Sequence, residues 1–176
     1  YRLLQMEHSL PPVQLFLYKA LPMGAGLGGG SADGAYTLRL LNDYFHLGLS
    51  TRMLQQYASR LGSDCAFFVQ DGPALATGNG EIITPISLDF SAYSIVLVTP
   101  PVPVSTAQAY SGVKPLPAPV PVAEAVRRPV KEWKNCLYND FEYSIFHKYP
   151  ALWRVKRQLY LMGAVYASMS GSGSSL

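Results

Sequence analysis

The stretch "PMGAGLGGGSAD", residues 22–33, places five glycines in twelve positions. Glycine loses more conformational freedom on folding than any other residue. A run this dense therefore belongs where the backbone must turn tightly or come close to another group. Its flanks are regular. Residues 13–20 (VQLFLYKA) are β-branched, aromatic and roughly alternating, which predicts a strand. Gly34, Leu38, Leu41 and Phe45 recur at helical spacing, which predicts a helix over 32–47. A strand, a glycine loop and a helix N-terminus together make a phosphate-binding arrangement. Bare backbone lets N–H groups approach an anion, and the helix dipole adds positive potential. The P-loop needs Lys and then Ser/Thr after its second glycine; Gly30 and Ser31 stand there instead. A dinucleotide pattern can be drawn through Gly24, Gly26 and Gly29. The helix after it, however, runs into a second helix rather than into a strand ending in an acid. A flexible linker fits neither Pro22 and Leu27 nor the strong flanking elements.

Further along, Ser50 can cap a second helix whose apolar face is Leu54, Tyr57, Ala58 and Leu61. "LGSDCAFFVQDG" reads as a turn and a short strand over 65–70. Residues 73–77 and 81–86 flank "GNG" as a hairpin, and 94–98 read as a buried strand. Residues 100–129 are proline-rich and loop-like, with one short helix over 106–111. Asn139 and Glu142 have capping-box spacing for a helix to 148. Pro150 suits the first turn of the next helix, which buries Leu152, Val155, Leu159 and Met162 and ends at Gly163. A strand over 164–169 and the turn "SGSGS" follow. Strands and helices alternate without a strict βαβ period, so the expected class is α+β in two domains, with a boundary near 90–93. Both ends read as cut, the first inside the tail of a helix and the last inside a loop.

With 49% hydrophobic and 14% charged residues among 176, the composition is globular. A net charge of +3 suits an anionic substrate, and no dense Lys/Arg patch invites nucleic acid. Arg127-Arg128 and Lys156-Arg157 read as solvated faces. No apolar run approaches a membrane span and no signal peptide opens the chain, so no membrane partner is expected; two cysteines with no pairing or zinc motif make a reducing, cytoplasmic setting the expectation. Cys65 and Cys136 lie too far apart for a disulfide framework or a zinc motif. His8, His46 and His147 are scattered. Trp133, Tyr138, Phe141 and Phe146 read as core.

The glycine loop resembles the phosphate loop of the GHMP small-molecule kinases, roughly P-x-G-x-G-L-G-S-S-A. Gly29 and Gly30 replace the paired serines, and Ser31-Ala32 follow. The triple-glycine form is similar to the branch that phosphorylates a cytidyl diphosphate substrate in non-mevalonate isoprenoid biosynthesis. The mevalonate and homoserine branches carry the serines. "LGSDCAFF", "NDFE" and "MSGSGSS" resemble later signatures, so the likeness covers nearly the whole chain.

That resemblance implies an ATP-binding N-terminal domain over 1–92 lacking its first strands, and a C-terminal domain over 93–176 lacking its last elements. It implies ATP with Mg²⁺, and monomers or weak homodimers. It carries nucleotide binding onto Pro22, Met23, Gly24, Ala25, Gly26, Leu27, Gly28, Gly29, Gly30, Ser31 and Ala32. It makes Asp64 the catalytic carboxylate, held beside a pocket and partly desolvated. Thr106 and Tyr110 would contact the cytidine, although a capped short helix with a half-buried tyrosine accounts for them equally. "SGSGS" would lie near a phosphate or be a plain tight turn. Asp33 suits a helix-stabilising role. The family's lysine on an N-terminal strand has no counterpart: Lys19 lies on the wrong element and reads as a surface residue. With the serines replaced, no metal ligand is assigned. Residues 1–176 alone are expected to show negligible kinase activity.

Overall fold

Helical periodicity is realised wherever the sequence sustains it. In the computed structural model, which describes residues 1–114 and 117–176, the chain divides into two units. The first comprises Tyr1–Leu21 and Gly28–Ser87, the second Pro22–Leu27 and Leu88–Leu176.

The first unit contains α1 (Arg2–Gln5), α2 (Gly29–Tyr44), α3 (Thr51–Ser59), a 3₁₀ turn (Phe67–Val69) and the strands β1 (Ala74–Thr77) and β2 (Ile82–Pro85). α2 starts three residues earlier than its periodicity predicts and buries Ala35, Leu38 and Leu41. Asn42 Oδ1 accepts the Leu49 amide at 2.8 Å, which fixes the turn into α3. Ser50 caps α3 as expected, its Oγ accepting from the Met53 amide at 3.3 Å. Leu54, Tyr57 and Ala58 are buried, whereas Leu61 lies past the helix and is exposed. Leu4, Leu10, Leu49, Cys65, Ala66 and Val69 complete this core. The hairpin forms around "GNG", antiparallel, with Ala74 opposite Pro85 and Thr77 opposite Ile82.

Two strand expectations fail here. Residues 65–70 wind instead, through Cys65 N to Gly62 O and Phe68 N to Cys65 O. Cys65, Ala66 and Val69 thereby face one core at helical spacing. Residues 13–20 form no strand, because no ladder partner exists for them among the described residues; Phe16 and Tyr18 are exposed.

The second unit contains α4 (Thr106–Gly112), α5 (Val122–Ala125), α6 (Val130–Trp133), α7 (Phe141–Lys148) and α8 (Pro150–Leu161). Val104, Ala109, Ile145, Leu152, Met169 and Leu176 form its core. A second apolar centre gathers on Trp133, which meets Phe90 and Tyr166 edge to face and donates its indole N–H to Arg128 O. Pro150 opens α8, but Met162 is exposed rather than buried. Residues 94–98 are neither a strand nor buried. Ile95 is 85% exposed, and the ladder reduces to Val98 and Leu176, which exchange two bonds of 2.9 Å. Residues 164–169 form no strand either; the Ala167 amide is satisfied by the Tyr160 hydroxyl. Residues 115 and 116 of the proline-rich stretch lie outside the described residues. Helices with one small sheet make the class α+β. No described helix is long and apolar enough to cross a membrane.

Candidate phosphate-binding site

The N-terminus of α2 is uncapped. Gly28 precedes it at φ +66°, and no side chain accepts from its first turn. A Cβ on Gly28 would sit 2.7 Å from the Phe68 ring. The first intrahelical bond is Ala32 N to Gly28 O, 2.9 Å. The amides of Gly29, Gly30 and Ser31 therefore have no helical acceptor and are available to an anion. Gly30 faces open space. Lys19 is not a free surface residue: it is 26% exposed, its ammonium pairs with Asp33 of α2, and it lies beside Gly29. Asp33 thus stands in the second turn of α2 as the partner of a cation. Asp64 occupies the turn before the 3₁₀ segment. It is exposed, not partly desolvated, and makes no ion pair among the described residues.

In the second unit, Gly26 is in a left-handed conformation (φ +76°) with its Cα pressed against the turn 170–174. A Cβ there would lie 2.2 Å from Ser170 O. Ser170 Oγ donates to Gly26 O at 2.8 Å, and the Ser175 amide donates to Ala25 O at 3.1 Å. The turn closes itself through Ser170 N to Ser175 O, 2.8 Å, and Gly173 N to Ser170 O, 3.0 Å. Ser175 Oγ is buried without a partner. "SGSGS" is therefore a buttress of the glycine loop. Thr106, at the start of α4, brings its hydroxyl 3.5 Å from Ser172 Oγ. Tyr110 is 63% exposed rather than half-buried and meets Phe141 edge-on at 4.9 Å.

Sequence reasoning missed the roles of Asn139 and Glu142. The capping box does not form: α7 begins after Asp140 without a side-chain cap, and Asn139 Oδ1 accepts instead from Phe141 N at 2.9 Å. Asn139 Nδ2 donates to Met169 O at 2.7 Å and Gly171 O at 2.8 Å. Glu142 Oε1 accepts from the Met169 amide at 2.7 Å, and Oε2 pairs with Lys156 at 2.5 Å. Lys156 is thus not part of a solvated face. The signal was present in "NDFE", whose spacing fits a capping box and a clamp equally.

No group of three or more His, Cys, Asp or Glu able to hold a metal occurs among the described residues. Both cysteines are free and buried.

Residues 1–72 match the family described as the GHMP kinases N terminal domain. All 176 residues align at 52% identity with 4-diphosphocytidyl-2-C-methyl-D-erythritol kinase of Bacteroides fragilis, covering 64% of that protein. The same-named kinase of Cytophaga hutchinsonii is 44% identical, again over the whole of this chain and 66% of its own length. The chain thus spans about two thirds, or slightly less, of these relatives. A crystal structure of 4-(cytidine 5'-diphospho)-2C-methyl-D-erythritol kinase superposes with a TM-score of 0.72 at 30% identity, over 89% of this chain and 57% of that one. This similarity runs the length of the sequence and includes the loop, and the family the chain resembles is the GHMP kinases.

Proposed function

We propose that the protein transfers the γ-phosphoryl group of ATP to the 2-hydroxyl of 4-diphosphocytidyl-2-C-methyl-D-erythritol, a step of non-mevalonate isoprenoid biosynthesis. The observation that carries this reading is the glycine loop. Three unsatisfied amides open α2 beside the Lys19 ammonium, in a chain 52% identical to a kinase of that name. Phosphoryl transfer asks little covalent work of a protein; it needs positioning and charge stabilisation. Residues 22–32 supply backbone donors and the positive end of α2 to the triphosphate. Mg²⁺, when bound together with ATP, would neutralise charge on the phosphates. Asp64 orients the acceptor hydroxyl and takes its proton as the oxygen attacks phosphorus. Thr106 and Tyr110 contact the cytidine, the ring of Tyr110 offering a face for stacking.

Steady-state kinetics of Asp64→Asn in the full-length protein test the assignment. A loss of about 10²–10⁴-fold in kcat with little change in the KM for ATP is expected. Full turnover by the variant would remove Asp64 from the chemistry. Binding of NAD without binding of ATP, by calorimetric titration of the unaltered protein, would point instead to a dinucleotide-binding protein.

A further inference from the structure

The turn that touches the glycine loop is itself held from behind. Asn139 spends both amide hydrogens on the carbonyls of Met169 and Gly171. Glu142, with 12% of its side chain exposed, accepts the amide of Met169, just ahead of those contacts, and is neutralised by Lys156. Between them they fix the backbone on either side of Ser170. Ser170 Oγ then holds Gly26 O, and the Ser175 amide holds Ala25 O. In a trans peptide the N–H points opposite to the C=O. Pinning Ala25 O to the turn therefore aims the Gly26 N–H away from it, and pinning Gly26 O does the same for the Leu27 N–H. Two amides of the loop are thus pre-aimed by contacts made entirely within one unit.

We propose that Asn139 and Glu142 are positioning residues for the nucleotide phosphates, acting through the Ser170 turn on the peptide planes at Ala25 and Gly26. The proposal rests on the reading of the loop as an ATP site. Preorganised donors bind an anion without first ordering themselves, so losing the clamp raises the KM for ATP more than it lowers kcat.

The decisive variant is Asn139→Asp in the full-length protein. It retains the oxygen that accepts from Phe141 N, so the start of α7 survives, but it loses both donors. Expected are a rise of about tenfold in the KM for ATP, the scale of one or two lost hydrogen bonds, and a kcat at saturating ATP within about threefold of the unaltered protein. Amide exchange should accelerate at Ser170, Gly173 and Ser175. Ser170→Ala should reproduce the KM effect, and the double variant should be no worse than the more severe single one, since both break one chain of contacts. Faster exchange at those amides with an unchanged KM for ATP would overturn the proposal. Should Asn139→Asp fail to fold, an unchanged KM in Ser170→Ala overturns it equally. Failure of the unaltered protein to bind ATP at all would instead sink the ATP reading beneath it, and the proposal with it.

Discussion

Gly26 and Gly30 lie four residues apart in one loop and answer to different demands. Gly26 has φ +76° and no room: a Cβ would strike two backbone carbonyls, at 2.2 and 2.8 Å. Gly30 is helical and faces open space. Replacement by alanine separates folding from binding. Gly26→Ala should lower stability by about 2 kcal/mol or more, from left-handed strain and the clash together. Gly30→Ala should raise stability by about 0.5–1 kcal/mol, since alanine is the better helix former. If the open space above Gly30 is where phosphate sits, the same change should weaken ATP binding. Denaturant melts alongside ATP titrations check both; a Gly30→Ala protein no more stable than the original would contradict the helical placement of that residue. This distinction was not legible in "GLGGGS", where all the glycines look alike. It depends on which of them meets the turn at residues 170–174, far away in sequence.

At the level of elements, the segment after α1 is tied to α3 by Glu7 and Tyr57. The Tyr57 hydroxyl donates to Glu7 Oε2 at 2.6 Å, and Arg60 stands beside the other oxygen. The hydrogen bond from Tyr57 holds the Glu7 carboxyl below its ordinary value of 4.5, and the same bond raises the Tyr57 phenol above 10.0. A depressed carboxyl contributes stability that is fully present above its unfolded pKa and is lost as pH falls through the folded one. A raised phenol contributes below its unfolded pKa and loses that contribution as pH rises through the folded one. The docking of this segment should therefore weaken below about pH 4.5 and above about pH 10. Tyr57→Phe should flatten both limbs in thermal melts run across pH; unchanged limbs in that variant would contradict the assignment. α2, α3 and α8 were readable because their apolar residues recur over whole turns, and the hairpin because "GNG" sets its turn. The segments over 13–20 and 94–98 have the residues of strands, but β-propensity reports a surface suited to pairing and not the presence of a partner. Residues 65–70 misled for another reason: a short apolar run has no period long enough to separate strand from turn.

Across the whole molecule, the glycine loop is shared in sequence between the two units, Pro22–Leu27 belonging to one and Gly28 onward to the other. Its first half leans on a turn clamped by "NDFE", and its second half opens the longest helix of the chain. The kinase resemblance was legible because the glycine loop and three further short signatures fall in order along one sequence. The clamp was not, because it joins residues 139–142 to 168–171 and only folding makes them neighbours. The mildly basic charge of +3 accords with the proposed substrates, which are all anions. The most direct test is phosphoryl transfer by the full-length protein, supplied with γ-labelled ATP and Mg²⁺ and offered 4-diphosphocytidyl-2-C-methyl-D-erythritol or mevalonate separately. Label appearing on the 2-hydroxyl of the cytidyl compound, and not on mevalonate, is the expected result; label on mevalonate alone, or on neither, would contradict it.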